Sequence, residues 1–181
     1  MTFEEKTLKS ERIYEGHIIN LRRDEVTVQN GTSMREIVEH NGGAVLAAVT
    51  DEGKLVMVRQ YRKAAKRVML EVPAGKIDPG ESAETTAKRE LKEETGYTPK
   101  HVRFLMQFFP SVGYSEEILY LYLCTGLAAG ETHFDENEAL DIEEYEIDEL
   151  YEMVMAGKIE DAKTIIAILT VKKLMEEGKL A

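Results

Sequence analysis

The segment from residue 75 to residue 97 constrains this chain more than any other, because it crowds Glu90, Glu93 and Glu94 onto one short helix. Ser82 suits an N-cap, Glu84 suits a first turn, and Gly96 supplies a C-terminal stop, so a helix is predicted over 82–95. At about 100° per residue the three glutamates fall within roughly one third of the circumference. Ala83, Ala87 and Leu91 recur at four-residue steps and define the stripe that meets a core. Glu90 and Glu94 neighbour that stripe, where like charges repel strongly. Two readings follow. The face is solvated and balanced by Lys88 and Lys92, or a hard divalent cation with oxygen ligands joins the carboxylates. Magnesium is the usual such ion near phosphates.

The rest of the chain supplies a scaffold of strands and helices. Residues 11–40 read as antiparallel strands, with Asn30-Gly31 marking a hairpin between 24–29 and 34–38. The apolar run 44–49 reads as a strand covered on both faces. Further strands are expected over 55–61 and 68–72, the latter stopped by Pro73-Ala74-Gly75, and over 102–109 and 118–123. Residues 129–141 are acidic and loop-like, and 142–147 alternate as an exposed strand would. Helices are expected over 148–156 and 161–177, the second with Ile165, Ile168, Leu169 and Leu174 on one side. Mixed strands enclosed by helices indicate an α/β sandwich.

Composition narrows the function classes. The 181 residues suit one domain with a small N-terminal extension. No apolar run approaches the roughly 20 residues that span a bilayer, and the start, Met-Thr-Phe-Glu-Glu-Lys, lacks the apolar core of a secretion signal. The one cysteine, Cys124, follows an apolar run and is expected in the core, so a reducing cytoplasm is the simplest compartment. The formal charge of −11 opposes binding to nucleic acid or anionic membranes. An anionic small-molecule substrate would need local arginines or metal ions to reverse that field.

Gly75, Glu81, Arg89, Glu90, Leu91, Glu93, Glu94 and Gly96 resemble, position for position, the motif of the Nudix hydrolases, with Tyr97 where an aliphatic residue is usual. The similarity spans nearly the whole chain and is greatest to the bacterial ADP-ribose pyrophosphatases. Arg35-Glu36-Ile37-Val38, Gly43-Ala44-Val45, Arg59-Gln60-Tyr61-Arg62, Glu71-Val72-Pro73-Ala74-Gly75, Asp135-Glu136-Asn137-Glu138 and Asp161-Ala162-Lys163-Thr164 follow that subfamily in order. The resemblance implies a Nudix-type α/β/α sandwich with a mixed sheet over 41–181. It also implies a small antiparallel β region over 1–40, exchanged between the subunits of a homodimer.

For the site, the resemblance implies that Glu90, Glu94, Glu138 and the Ala74 carbonyl hold Mg2+, with Mn2+ an alternative. Glu93 would be a further ligand or orient a water, and Glu136, on the acidic loop, would be the base. Arg89 and Glu81 would brace the motif. Arg35, Arg62, Lys76, Ser111, Gly113 and Glu117 would contact the substrate, the guanidinium groups by paired bonds to phosphate oxygens. Ile18 stands where the subfamily stacks an aromatic residue on adenine, with Tyr14 and Tyr61 as substitutes. Val112 stands where Ser-Pro-Gly has its proline, and Tyr114 lies near a tyrosine characteristic of diadenosine-polyphosphate hydrolases. The implied reaction is metal-dependent cleavage of ADP-ribose to AMP and ribose 5-phosphate. The alternatives are another nucleoside diphosphate derivative (an ADP- or GDP-sugar, or a dinucleoside polyphosphate) and a non-catalytic sensor of the same fold.

Overall fold

A computed structural model describes residues 3–132 and 139–180, and the chain divides into two units. Residues up to Gly42 group with Phe108–Ile118, whereas a boundary at 40 with nothing returning was expected. The first unit is a three-stranded antiparallel sheet in the order β1 (Thr7–Glu15), β2 (Asn20–Val28), β3 (Gly31–Glu39). The expected hairpin is present. Val28 pairs with Gly31 across the two-residue loop Gln29-Asn30, and the positive φ of 106° falls on Gly31.

Residues 108–118 join this unit by backbone bonds to β3. Val38 N–H donates to the Tyr114 carbonyl at 2.8 Å, and Glu116 N–H donates to the Val38 carbonyl at 2.9 Å. Arg22 binds the pieces together. Its Nη2 reaches Glu116 at 2.6 Å, its Nη1 Glu39 at 2.9 Å, and its Nε Asp24 at 3.1 Å.

The second unit begins with β4 (Gly43–Ala48), buried along its whole length as the apolar run predicts. It continues through β5 (Lys54–Arg62), β6 (Arg67–Glu71), β7 (Ala74–Lys76), α1 (Ala83–Thr95), β8 (Thr98–Phe108) and β9 (Leu119–Ala128). β10 (Asp141–Glu146), α2 (Ile147–Met155) and α3 (Ala162–Glu176) complete it. One sheet runs β7-β4-β9-β8, with β4 parallel to β9 and antiparallel to β7; the other runs β10-β5-β6. Ala44, Leu46 and Ala48 meet Ala87 and Leu91 of α1, together with Tyr122 and Cys124. Strand alternation turns Val45 and Ala47 to the opposite face, where they are equally buried, and α3 also packs against β4. This is the expected mixed α/β architecture.

Three expectations need correction. Pro73-Ala74-Gly75 does not simply stop a strand. Pro73 lacks an N–H but its carbonyl accepts from Leu46 at 2.9 Å, and the next residues form β7 on the edge of β4. β8 starts at Thr98 and β9 runs to Ala128, both longer than their apolar cores suggest. The buried side of α3 is Thr164, Ala167, Ile168 and Val171, whereas Leu169 is exposed. Thr164 can face inward because its hydroxyl is satisfied, accepting from Val72 N–H and donating to Asp161.

Candidate active site

α1 is fixed at both ends by local chemistry. Ser82 Oγ accepts from Thr85 N–H at 3.1 Å, and Gly96, at φ 74°, donates its N–H to the Lys92 carbonyl. With Ala87 and Leu91 turned to the core, Glu94 is carried inward to 3% exposure. Its Oε2 accepts from Ala74 N–H at 3.0 Å. Glu90 lies against the next residue of β7: a Cβ on Gly75 would stand 1.8 Å from Glu90 Cδ and 2.0 Å from Oε1. Only glycine leaves that space. Ala74, Gly75, Glu90 and Glu94 are thereby brought together.

Arg89 occupies the centre of the charge cluster. Its Nη1 donates to Glu90 at 2.8 Å and to Glu93 at 2.9 Å, and its Nη2 donates to Glu81 at 2.9 Å. Glu81 also accepts from the buried Thr86 hydroxyl at 2.8 Å, so the expected Arg89–Glu81 brace is present. The Arg89 hydrogen bonds hold the Glu81 carboxyl below its ordinary pKa. Among the described residues no three acidic, His or Cys side chains converge as an ion cage. Arg89 draws Glu90 and Glu93 to itself instead. The donor set beside Gly75 is nonetheless all oxygen, two carboxylates on a stretch of backbone, which suits a hard divalent cation.

The arginine proposed for phosphate has a buried partner. Arg62 Nε and Nη2 each donate to Glu71 at 2.7 Å, and Glu71 is 2% exposed. Lys163 of α3 donates to the same carboxylate and, at 2.9 Å, to Asp161, which caps α3. Burial pushes the Glu71 carboxyl up, but the bonds and charges of Arg62 and Lys163 outweigh it and leave it low. No role for Glu71 or Lys163 was foreseen from sequence. The available signal was an acid in the apolar strand Val-Met-Leu-Glu-Val, which must be paired if buried.

The remaining sites of interest are placed as follows. Lys76 ends β7, and its carbonyl lies 3.4 Å from Arg89 Nη2. In the first unit Arg35 is paired with Glu5, its Nε donating at 2.9 Å. The Ser111 carbonyl accepts from Ser115 N–H at 3.0 Å, Gly113 has open space around it, and Glu117 lies 3.6 Å from His40 Nδ1. Ile18, Tyr14 and Tyr61 are all exposed, as is Val112. Glu136 and Glu138 lie outside the described residues.

A family model described as the NUDIX domain matches residues 40–167, and one described as the nucleoside diphosphate sugar hydrolase N-terminal domain matches residues 5–38. The chain is 44% identical to the methanol dehydrogenase activator of Bacillus methanolicus, over 92% of this chain and 91% of that one. It is 40% identical to the ADP-ribose pyrophosphatase of Bacillus subtilis (strain 168), over 98% and 99%. A crystal structure of an ADP compounds hydrolase superposes with a TM-score of 0.84 at 21% identity, covering 99% of this chain and 98% of that one.

Proposed function

The chain belongs to the Nudix family, and from that premise we propose that it hydrolyses the diphosphate of ADP-ribose to AMP and ribose 5-phosphate. The observation that carries the chemistry is the placement of the Glu90 and Glu94 carboxylates on the Ala74-Gly75 backbone. The substrate comes from the Bacillus subtilis relative, whose name states it and whose identity extends over 98% of this chain. The 44% identical relative is named for its effect on another enzyme, and that name gives no substrate.

In this reading Glu90, Glu94, Glu138 and the Ala74 carbonyl hold a divalent ion, Mg2+ or Mn2+. Bound there, the ion supplies charge neutralisation for the diphosphate oxygens and a lowered pKa for the attacking water. Glu93 is a further ligand or orients the water, and Glu136 accepts the water's proton as its oxygen bonds to one phosphorus and the bridging P–O bond breaks, leaving AMP and ribose 5-phosphate. Arg62, Lys76 and Arg35 offset the negative charge of the diphosphate. Glu117 meets the terminal ribose, and Ser111 and Gly113 are further substrate contacts. A homodimer is proposed because every residue of β1 is exposed, Leu8, Ile13 and Tyr14 among them. The proposed compartment is the cytoplasm. Cys124 is a buried thiol, and among the described residues no helix is long and apolar enough to cross a membrane.

A second reading, another nucleoside diphosphate derivative, is favoured by Val112 in place of the subfamily's proline. A panel of ADP-ribose, ADP-glucose, GDP-mannose, diadenosine polyphosphate and NADH, with products resolved by chromatography, separates the two. The expected result is AMP and ribose 5-phosphate from ADP-ribose with Mg2+, and none after EDTA. No AMP from ADP-ribose sinks the substrate assignment, and activity surviving EDTA sinks the metal assignment. Wild-type turnover by Glu136→Gln removes that residue as the base.

A further inference from the structure

We infer that Glu71 is a positioning residue for the diphosphate: from a buried anchor it fixes the Arg62 guanidinium by two bonds and leaves the third nitrogen for the substrate. The inference rests on the reading that Arg62 binds the diphosphate.

Four observations carry it. Glu71 is 2% exposed, whereas the Arg62 side chain is 41% exposed, so the carboxylate lies inside and the guanidinium reaches outward. The two bonds, each 2.7 Å, engage Nε and Nη2, and among the described residues Nη1 has no hydrogen-bond partner. A guanidinium held along one edge has lost its rotational freedom before any ligand arrives, and its remaining donors point in a set direction. Glu71 is itself held from behind. Lys163 donates to it and to Asp161, and Asp161 accepts from the Thr164 N–H at 3.0 Å and its hydroxyl at 2.6 Å. Lastly, Thr164 Oγ1 accepts from Val72 N–H at 3.0 Å, so the N-terminus of α3 grips the backbone beside Glu71, two residues before Ala74.

Stability alone does not account for such a set. A buried ion pair is a weak source of stability, and apolar residues of similar volume often serve as well or better. What the charges supply, and apolar residues cannot, is a fixed direction for Arg62. The same grip sets where the chain enters β7, which carries Ala74 and Gly75 to Glu94 and Glu90.

The test is a double-mutant cycle of Glu71→Gln and Arg62→Ala in the full chain with Mg2+, reading KM and kcat separately. Each single variant is expected to raise KM by about tenfold or more, with kcat changed far less, and the double variant to be no worse than Arg62→Ala. Penalties in KM that multiply in the double variant overturn the inference. So does a Glu71→Gln effect confined to kcat. Thermal melting monitors folding. If Glu71→Gln melts below the assay temperature, the cycle is run with Glu71→Asp, which keeps a negative charge beside Lys163, and the same outcomes decide. If wild type releases no AMP from ADP-ribose but cleaves another diphosphate of the panel, the substrate reading fails alone and the cycle is run on that compound. Cleavage of no diphosphate overturns both.

Discussion

A carboxylate resting on a glycine is a contact that one residue type permits, and it makes Gly75 a sharper probe of the site than the glutamates. An alanine Cβ there would meet Glu90 at 1.8 Å, but the atoms it meets are the far end of a flexible side chain. Gly75 is not among the residues with positive φ, so the backbone accepts alanine without strain. Gly96 is the contrasting case: it sits at φ 74°, and a Cβ would meet the Gly130 carbonyl oxygen at 2.6 Å, which cannot swing away. Gly75→Ala should therefore fold, displace Glu90, and lower kcat by about 100-fold, the order expected for a misplacement of about 1 Å. Circular dichroism and melting beside kcat check this. A large loss of melting temperature with unchanged turnover per folded molecule would contradict it.

At the scale of elements, what is local was legible and what is long-range was not. The ends of α1 follow from Ser82 and Gly96, each acting within four residues, and its inward face follows from Ala87 and Leu91. β7 could not be read from its own three residues, because it exists through pairing with Gly43, Ala44 and Val45 some thirty residues earlier. On α3, Ile168 faces inward as the apolar pattern predicts, but Thr164 and Ala167 do too, and these carry too little apolar bulk to mark the buried side, whereas the large Leu169 is exposed. The site divides the same way. Spacing along a helix reveals that Glu90 and Glu94 share a face, but Glu71 gains its partners from another strand and from α3. β1 poses the remaining problem. It is an edge strand with all nine residues exposed, in a unit that has no helix among the described residues. A second copy pairing its own matching surface there would meet itself about a two-fold axis. Light scattering should then give twice the 20.5 kDa chain mass, and Leu8→Glu, putting a charge on this apolar part of the strand, should give the single mass. A dimer that survives Leu8→Glu would move the interface elsewhere.

Across the whole molecule, two electrostatic effects compete as pH falls. The net charge of −11 makes the folded chain repel itself, and protonating exposed carboxylates relieves that. At physiological salt, however, charges further apart than about 8 Å are largely screened. The paired carboxylates act at contact distance and are screened much less. Asp24 is held low chiefly by the Ser10 hydroxyl, Glu81 by Arg89 and Glu143 by Arg59, and Glu71 is net lowered against its burial. A group whose folded pKa lies below its unfolded value of about 4 contributes stability that is present above that value. That stability is lost as pH falls through the folded pKa. The unfolded chain then binds more protons, and each whole-proton difference costs about 1.4 kcal/mol per pH unit. The arginine partners stay charged throughout and add no pH dependence of their own. Contact pairs should therefore win: the urea unfolding free energy should stay nearly level from pH 8 to about 5 and fall steeply below about 4. Lowering the salt should deepen the self-repulsion near pH 7 without removing the acid limb. A stability that held level or rose between pH 5 and pH 3 would mean that relief of the net charge dominates and that these pairs contribute little.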